Sequence, residues 1–154
     1  MQKDQIKERQ ENISGSSNVT YEEEVKITGD RYTSKDFMEN ELTYLWPKVW
    51  NIGGWSKELE KEGDFITHNI GRESILMVRE KNNKIKAFHN VCPHRGNRLV
   101  HIDSGYVKEF SCTYHGWKYN YSGELIYAQD EDDFPQGNPC GKIKLSEINC
   151  EEYG

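Results

Sequence analysis

The chain has 154 residues, of which 34% are hydrophobic, and its net charge is −6. This length and composition predict one domain of ordinary size, with part of the chain outside the packed core. The acidic balance and the lack of a long basic block argue against nucleic acid as a partner. No apolar run approaches the ~20 residues of a membrane span, and the N-terminus lacks a signal peptide's apolar core, so we expect no membrane contact and a cytoplasmic location.

The N-terminal part of the chain predicts an arm followed by a helix. Residues 1–32 are charged and polar, and we interpret them as a flexible N-terminal arm. Residues 33–47 are the predicted helical segment that leads into the domain, with Thr33 or Ser34 as its cap. Its apolar residues follow one helical stripe, namely Phe37, Leu42 and Leu45.

Residues 48–154 predict an all-β domain, because short runs rich in β-branched or aromatic residues alternate with Gly, Asn and Asp. The predicted strands lie in KVWNIGGW, DFITHNI, SILMVRE, IKAFHNV, VKEFSC, WKYNY, ELIYA and KIKLSEINCEEYG. Asn82 and Asn83 predict a hairpin turn between the third and fourth of these runs. The stretch QDEDDFPQGNPCGK predicts an acidic loop, which is either a docking patch or simply solvated.

Two Cys–His pairs carry the chemistry of this sequence. Cys92 and His94 have the spacing Cys–x–His; after seventeen more residues, Cys112 and His115 have the spacing Cys–x–x–His. Predicted strands flank each pair, so we expect each pair in a turn at the end of a hairpin. Two such turns lying side by side would bring four metal ligands together.

Two kinds of metal centre suit these ligands. Zinc accepts Cys₂His₂ tetrahedrally, but zinc fingers of that type group the cysteines before the histidines and place the last pair on a helix. In a Rieske [2Fe–2S] cluster, two thiolates bind one iron and two imidazoles bind the other. The alternating order Cys, His, Cys, His and the strand flanks favour the cluster over zinc.

The residues that follow each pair fit the same interpretation. Gly96 and Gly116 remove side-chain bulk where backbone N–H groups would point at sulfide atoms. Trp117 and Tyr119 alternate along the strand after the second pair, and we expect both to pack in the core.

At this point the sequence resembles a known family. CPHRGNRLV and CTYHGWKYNYSGEL resemble the Rieske domain of the large subunits of ring-hydroxylating (Rieske non-haem iron) oxygenases, and the likeness covers about residues 33–154. The resemblance implies a small all-β domain of stacked antiparallel sheets, with the cluster at the tip of two loops. It also implies that Cys92 and Cys112 bind one iron of the cluster. His94 and His115 would bind the other iron.

Two other kinds of Rieske protein match less well. Respiratory Rieske proteins carry an extra cysteine in each loop, where this chain has Asn97 and Tyr114, so their bracing disulfide cannot form here. Stand-alone Rieske ferredoxins are the alternative interpretation. They usually lack the arginine and the aromatic run that this chain has at Arg95 and Trp117. The pattern therefore favours an oxygenase over a ferredoxin.

The resemblance also implies a catalytic domain that this sequence does not provide. Oxygenase large subunits hold a mononuclear Fe(II) with two histidines and one carboxylate. Of the five histidines, the three left over are scattered and form no closely spaced pair, namely His68, His89 and His101. We therefore interpret the chain as an N-terminal fragment with no catalytic residues of its own.

The function implied by the resemblance is electron transfer. A ferredoxin or reductase would supply the electron, and the mononuclear iron of the parent oxygenase's catalytic domain would receive it. Arg95 beside the first histidine either orients a partner or faces solvent. Cys140 and Cys150 lie outside the ligand pattern, and we expect them to be structural thiols.

Overall fold

The computed structural model describes residues 28–129 and 131–153. Most of the predicted N-terminal arm therefore lies outside the described residues. A division between two compact units falls after Phe37. In the described parts of the chain, no helix has both the length and the apolar character needed to cross a membrane.

The segment before the sheets is helical, as predicted, but it is broken into pieces. These are α1 Asp30–Thr33, α2 Lys35–Asn40, a π-helical turn Glu41–Leu45 and a 3₁₀ turn Trp46–Lys48. Ser34 separates the first two because its backbone is extended, and its hydroxyl caps α2 by accepting the N–H of Phe37 at 3.2 Å. Leu42 packs on Gly71, whereas Leu45 is exposed, so the predicted apolar stripe holds only in part.

The first predicted strand, KVWNIGGW, is wrong. After the 3₁₀ turn the chain has no regular structure until a second 3₁₀ turn, Ser56–Leu59. The Asn51 side-chain amide donates to the carbonyls of Trp46 and Val49, at 3.1 and 2.9 Å, so local turn contacts replace a strand ladder. The β-branched and aromatic side chains that suggested a strand project into solvent instead, with Ile52 89% exposed.

The rest of the domain is all-β, as predicted, and every strand pair is antiparallel. A five-stranded sheet contains β1 Asp64–Ile70, β2 Glu73–Arg79, β3 Ile85–His89, β4 Ser104–Tyr106 and β8 Glu147–Ile148. Its strand order is β4–β1–β2–β3–β8. A three-stranded sheet contains β5 Phe110–Ser111, β6 Lys118–Tyr119 and β7 Leu125–Tyr127. Its strand order is β5–β6–β7.

The predicted runs from DFITHNI onward each contain a strand, although the later strands are shorter than the runs. The hairpin between β2 and β3 turns at Asn83, whose φ of 63° is the left-handed conformation that Asn tolerates. The acidic stretch is a loop, as predicted, with a 3₁₀ turn at Glu131–Asp133. β4 was not predicted.

The core lies on both faces of the five-stranded sheet, because side chains alternate along β2. Leu76 and Val78 pack into the main core, whereas Ile75 and Met77 face a second, smaller cluster. The main core extends to the three-stranded sheet and contains two cysteines along with its aromatic residues. Its members from the candidate site are Cys92, Cys112, Trp117 and Tyr119. The predicted ligand segments are therefore anchored in the larger of the two core clusters.

Candidate metal centre

The first Cys–His pair lies in a tight loop, residues 92–97, which we call the first loop. It follows β3 and is closed at its base by an isolated bridge between Val91 and Arg98. The N–H of Cys92 donates to the carbonyl of Asn97 at 2.8 Å, and the N–H of Gly96 donates to the carbonyl of Cys92 at 2.9 Å. The segment is thus a hairpin-like turn, as predicted.

The second Cys–His pair lies in a loop with the same backbone hydrogen bonds, residues 112–117, which we call the second loop. It connects β5 and β6. The N–H of Cys112 donates to the carbonyl of Trp117 at 2.8 Å, and the N–H of Gly116 donates to the carbonyl of Cys112 at 2.9 Å. Two segments that differ in sequence therefore adopt one loop geometry.

The glycines of both loops are needed for their backbone conformation. Gly96 and Gly116 have φ of 70° and 68°, in the left-handed region that glycine adopts without strain. A Cβ at either position would meet no heavy atom of the described residues within 4 Å. Their N–H groups close the loops onto the cysteine carbonyls. The expectation that these glycines remove side-chain bulk where backbone N–H groups point at sulfide atoms stays a prediction.

The two thiols are buried beside each other. Cys92 is 1% exposed and Cys112 is 3% exposed. Burial raises the pKa of the Cys92 thiol, and the neighbouring Cys112 adds to that rise, while a hydrogen bond with Tyr119 opposes it. Ionising a buried pair of thiols is costly, and a metal cation bound by both sulfurs offsets that cost.

Each sulfur has a polar group directed at it from the other side of the site. The hydroxyl of Tyr119, on β6, lies 3.1 Å from the Cys92 sulfur. The amide nitrogen of Asn97, in the first loop, lies 3.8 Å from the Cys112 sulfur. By contrast, the hydroxyl of Tyr121 donates to the carbonyl of Val107 at 2.8 Å, so it is committed elsewhere.

The two imidazoles meet at the outer edge of the loops. The ring centroids of His94 and His115 are 4.7 Å apart. The ring of His94 stacks on Trp117 at 4.4 Å, with only 6° between the planes, and Tyr114 lies against His115 at 3.8 Å. Each imidazole therefore packs against an aromatic neighbour.

The histidines are suited to donating a lone pair. Burial lowers the pKa of His94, with smaller contributions from His115 and Arg95, so the ring is held neutral, the form that binds metals. The Nδ1 atom of His115 is buried and finds no hydrogen-bond partner among the described residues. A buried nitrogen without a partner is costly unless something else uses its lone pair.

The imidazole edges open onto a cavity of about 360 Å³. Besides the histidines and Trp117, it is lined by Gln129, Asp133 and Phe134. Sequence reasoning did not place these three residues at the site. The only sequence signal for them was the acidic run that follows β7. Nothing local in that run shows that it folds back over the second loop.

The other sequence-based candidates lie outside this arrangement. Arg95 is exposed beside His94, and the structure does not distinguish its two proposed roles. Cys140 and Cys150 are half-buried free thiols, and the Cys140 sulfur lies 3.7 Å from a carboxylate oxygen of Glu131. Trp117 and Tyr119 are both buried, as expected, and in addition they contact the site.

The donor set fits a two-metal group better than a single ion. In the described parts of the chain, no group of three His, Cys, Asp or Glu side chains is placed to hold one metal ion. A tetrahedral zinc site needs four ligands around one point. Two adjacent thiols and two adjacent imidazoles instead match the division of ligands between the two irons of a Rieske cluster.

This all-β fold with two matching Cys–His loops defines a class of small iron–sulfur domains, and comparison with known families agrees. The family model of the Rieske [2Fe-2S] domain matches residues 49–138, more than half of the chain. The chain belongs to the Rieske [2Fe-2S] domain family. Membership implies a [2Fe–2S] cluster as its cofactor.

The relatives are oxygenase subunits. The chain is 38% identical over 105 residues to the alpha subunit of biphenyl 2,3-dioxygenase from Rhodococcus jostii, covering 68% of this chain and 23% of that protein. It is 36% identical over 100 residues to the oxygenase subunit of glycine betaine monooxygenase from Pseudomonas aeruginosa, covering 65% and 23%. The chain thus spans about a quarter of the length of these relatives.

Solved structures give the same result. The apo form of the quaternary ammonium Rieske monooxygenase CntA superposes with a TM-score of 0.75 at 30% identity, covering 83% of this chain and 37% of that one. Naphthalene 1,2-dioxygenase with bound indole gives a TM-score of 0.73 at 30% identity, covering 79% and 28%. These likenesses favour the oxygenase interpretation over a stand-alone ferredoxin or a zinc module.

Proposed function

We propose that Cys92 and Cys112 bind one iron of a [2Fe–2S] cluster. His94 and His115 bind the other iron, and the chain serves as the electron-transfer domain of a Rieske oxygenase. The observation that carries the proposal is the convergence of two buried thiols and two imidazoles on loops with the same backbone hydrogen bonds.

When bound, the cluster supplies one-electron transfer. The residues of this chain set the conditions for it. Burial of both cysteines keeps water from the sulfurs, and Tyr119 and Asn97 place hydrogen-bond donors next to them. Stacking on Trp117 fixes the ring of His94, whose edge remains open to the cavity. The imidazole edge is thus the exposed end of an otherwise buried site.

The partners belong to the same proposal. A ferredoxin or reductase supplies the electron, and a mononuclear Fe(II) in the catalytic domain of a longer oxygenase receives it. The relatives that are alpha subunits, matched over 23% of their length, support this arrangement. The four free cysteines fit a reducing cytoplasmic compartment. We keep the predicted division into an arm (1–32), a helical segment (33–47) and the Rieske domain (48–154).

The first experiment measures metal content. The anaerobically purified protein is expected to contain about two irons and two acid-labile sulfides per chain. After reduction by dithionite, its EPR spectrum should show the low average g-value of mixed Cys/His ligation. One zinc per chain without sulfide would refute the proposal.

Cysteine variants provide the matched control. Cys92→Ser and Cys112→Ser should each abolish the cluster, because each removes a thiolate that no other group replaces. Cys140→Ser keeps the same substitution away from the site and should retain full iron and sulfide. Equal iron loss in all three variants would show that the effect is not specific to the two loops.

An activity assay tests whether electron transfer and oxygen activation belong to different domains. The isolated chain should accept an electron from dithionite or a reductase and form no oxygenated product from aromatic or alkylammonium compounds. Product formed by this chain alone would reveal an oxygen-activating site that the proposal does not contain.

A further inference from the structure

One side chain, that of Asn97, links the two loops. The backbone carbonyl of Asn97 accepts the N–H of Cys92 at 2.8 Å, which closes the first loop. Its side-chain nitrogen lies 3.8 Å from the Cys112 sulfur and 3.5 Å from the Thr113 hydroxyl. Through this nitrogen, Asn97 of the first loop contacts two residues of the second loop.

The orientation of the amide is set inside the first loop. Its nitrogen donates to the carbonyl of Arg98 at 2.9 Å. A carbonyl oxygen only accepts hydrogen bonds, so the NH₂ group of Asn97, and not its oxygen, must face in this direction. The NH₂ group has two hydrogens. With one engaged by Arg98, the second is left for the Cys112 sulfur and the Thr113 hydroxyl.

A donor in this position acts on the charge of the sulfur. The thiolate that Cys112 would present to iron becomes more electron-rich when the cluster is reduced. A hydrogen bond to that sulfur is stronger in the reduced state and therefore favours reduction. The Tyr119 hydroxyl already lies beside the Cys92 sulfur, so the Asn97 amide provides a separate donor for the Cys112 sulfur.

We propose that Asn97 is a positioning residue that holds the first loop against the second and raises the reduction potential of the cluster through its hydrogen bond to the Cys112 sulfur. The inference rests on the proposed function, because it requires Cys112 to be an iron ligand. It assigns a role to a residue that sequence comparison marked only by the absence of a disulfide cysteine.

The test compares midpoint potentials of cluster-loaded proteins by protein-film voltammetry. Asn97→Leu removes the donor at similar volume, and Asn97→Asp keeps the shape but replaces NH₂ by an oxygen that cannot donate. Both variants should shift the potential downward. Thr113→Val removes only the alternative acceptor of the amide, so its potential should equal that of the wild type.

A spectroscopic readout separates this role from a purely structural one. Hydrogen bonding to sulfur makes the Fe–S(Cys) stretching bands in resonance Raman spectra sensitive to exchange into D₂O. That sensitivity should decrease in both Asn97 variants and persist in Thr113→Val. A structural effect transmitted through the loop alone would leave the isotope shift unchanged.

Three outcomes overturn the inference. Unchanged potentials in both Asn97 variants exclude the sulfur contact as a tuning interaction. An equal shift in Thr113→Val assigns the effect to the hydroxyl contact. Failure of both Asn97 variants to assemble a cluster that Thr113→Val assembles normally makes Asn97 an assembly residue and not a tuning residue. A wild-type protein without iron and sulfide would instead refute the proposed function itself.

Discussion

The first loop and the second loop share their backbone hydrogen bonds but carry their imidazoles at different positions. Counting each cysteine as position 1, the histidine is third in the first loop and fourth in the second, and glycine is fifth in both. Successive side chains of a tight turn point in different directions. The one-residue difference lets His94 and His115 approach each other from opposite loops, with their rings 4.7 Å apart and 69° between the planes.

The sixth position shows a second difference. Asn97 occupies it in the first loop and Trp117 in the second, and each side chain reaches across to the other loop. Asn97 makes polar contacts at a half-buried position, whereas Trp117 is 3% exposed and belongs to the main core. The same loop geometry thus supports tuning of the site on one side and packing on the other.

The largest expected effect comes from moving an imidazole by one position. Exchanging the side chains at 94 and 95, as His94→Arg with Arg95→His, keeps the composition but gives the first loop the register of the second. Exchanging 114 and 115, as Tyr114→His with His115→Tyr, does the reverse. Each exchange should abolish the cluster, because the moved ring no longer meets its partner, and iron analysis of the purified proteins measures this.

The control for the exchange is Arg95→Lys, which alters the same loop without moving a ligand and should keep the cluster. Full iron and sulfide in either exchanged protein would show that the position of the histidine within the loop is not what brings the two rings together.

The next effect separates the two residues at the sixth position. Trp117→Ala removes a buried aromatic side chain and should lower the free energy of unfolding by about 3–5 kcal/mol. Asn97→Ala should cost only about 1 kcal/mol, the usual value of a hydrogen bond. Urea denaturation followed by far-UV circular dichroism measures both. Similar losses in the two variants would contradict the division between packing and tuning.

A smaller effect should be the same in both loops. Gly96→Ala and Gly116→Ala place a Cβ in open space but at positive φ, so each should cost about 1–2 kcal/mol of backbone strain. Gly141→Ala, at φ 73° and also without a neighbour within 4 Å among the described residues, is the matched control outside the site. The stability of Gly141→Ala should fall by the same amount as that of the two loop variants, while the midpoint potential of its cluster stays that of the wild type.

The smallest expected change is in the potential alone. Mixed Cys/His ligation spans roughly −150 to +300 mV, and we expect this protein in the lower part, below about 0 mV at pH 7. Tyr119→Phe removes the hydroxyl at the Cys92 sulfur and should lower the potential further with the cluster retained. Tyr121→Phe, whose hydroxyl serves a backbone carbonyl, is the control and should leave it unchanged. A wild-type midpoint above about +150 mV would contradict the first expectation.

Much of the fold follows from local sequence. Runs rich in β-branched and aromatic residues, separated by turn residues, located β1, β2 and β3, and Asn83 marked the turn between the last two. The pairing of cysteine and histidine within each short segment located the candidate site, because the spacing of ligands in one loop is a local property. These predictions needed no knowledge of which strands become neighbours.

The wrong strand predictions concern segments whose structure depends on whether a partner strand is available. KVWNIGGW has strand-like composition but acquires no partner, since its own Asn51 satisfies the nearby carbonyls. Ser104–Tyr106 has little strand character, yet it forms β4 because the free edge of β1 accepts it. Strand formation depends on hydrogen bonds to a distant segment, which composition does not report.

The sequence by itself determined the residue types of the site, the two loops that carry them and the all-β class. Only the tertiary structure decided which groups meet: Tyr119 with the Cys92 sulfur, Asn97 with the Cys112 sulfur, and Trp117 with the ring of His94. Each of these contacts joins residues on different loops or strands. Such contacts depend on how the two sheets pack around a shared core, and no spacing along the chain encodes that packing.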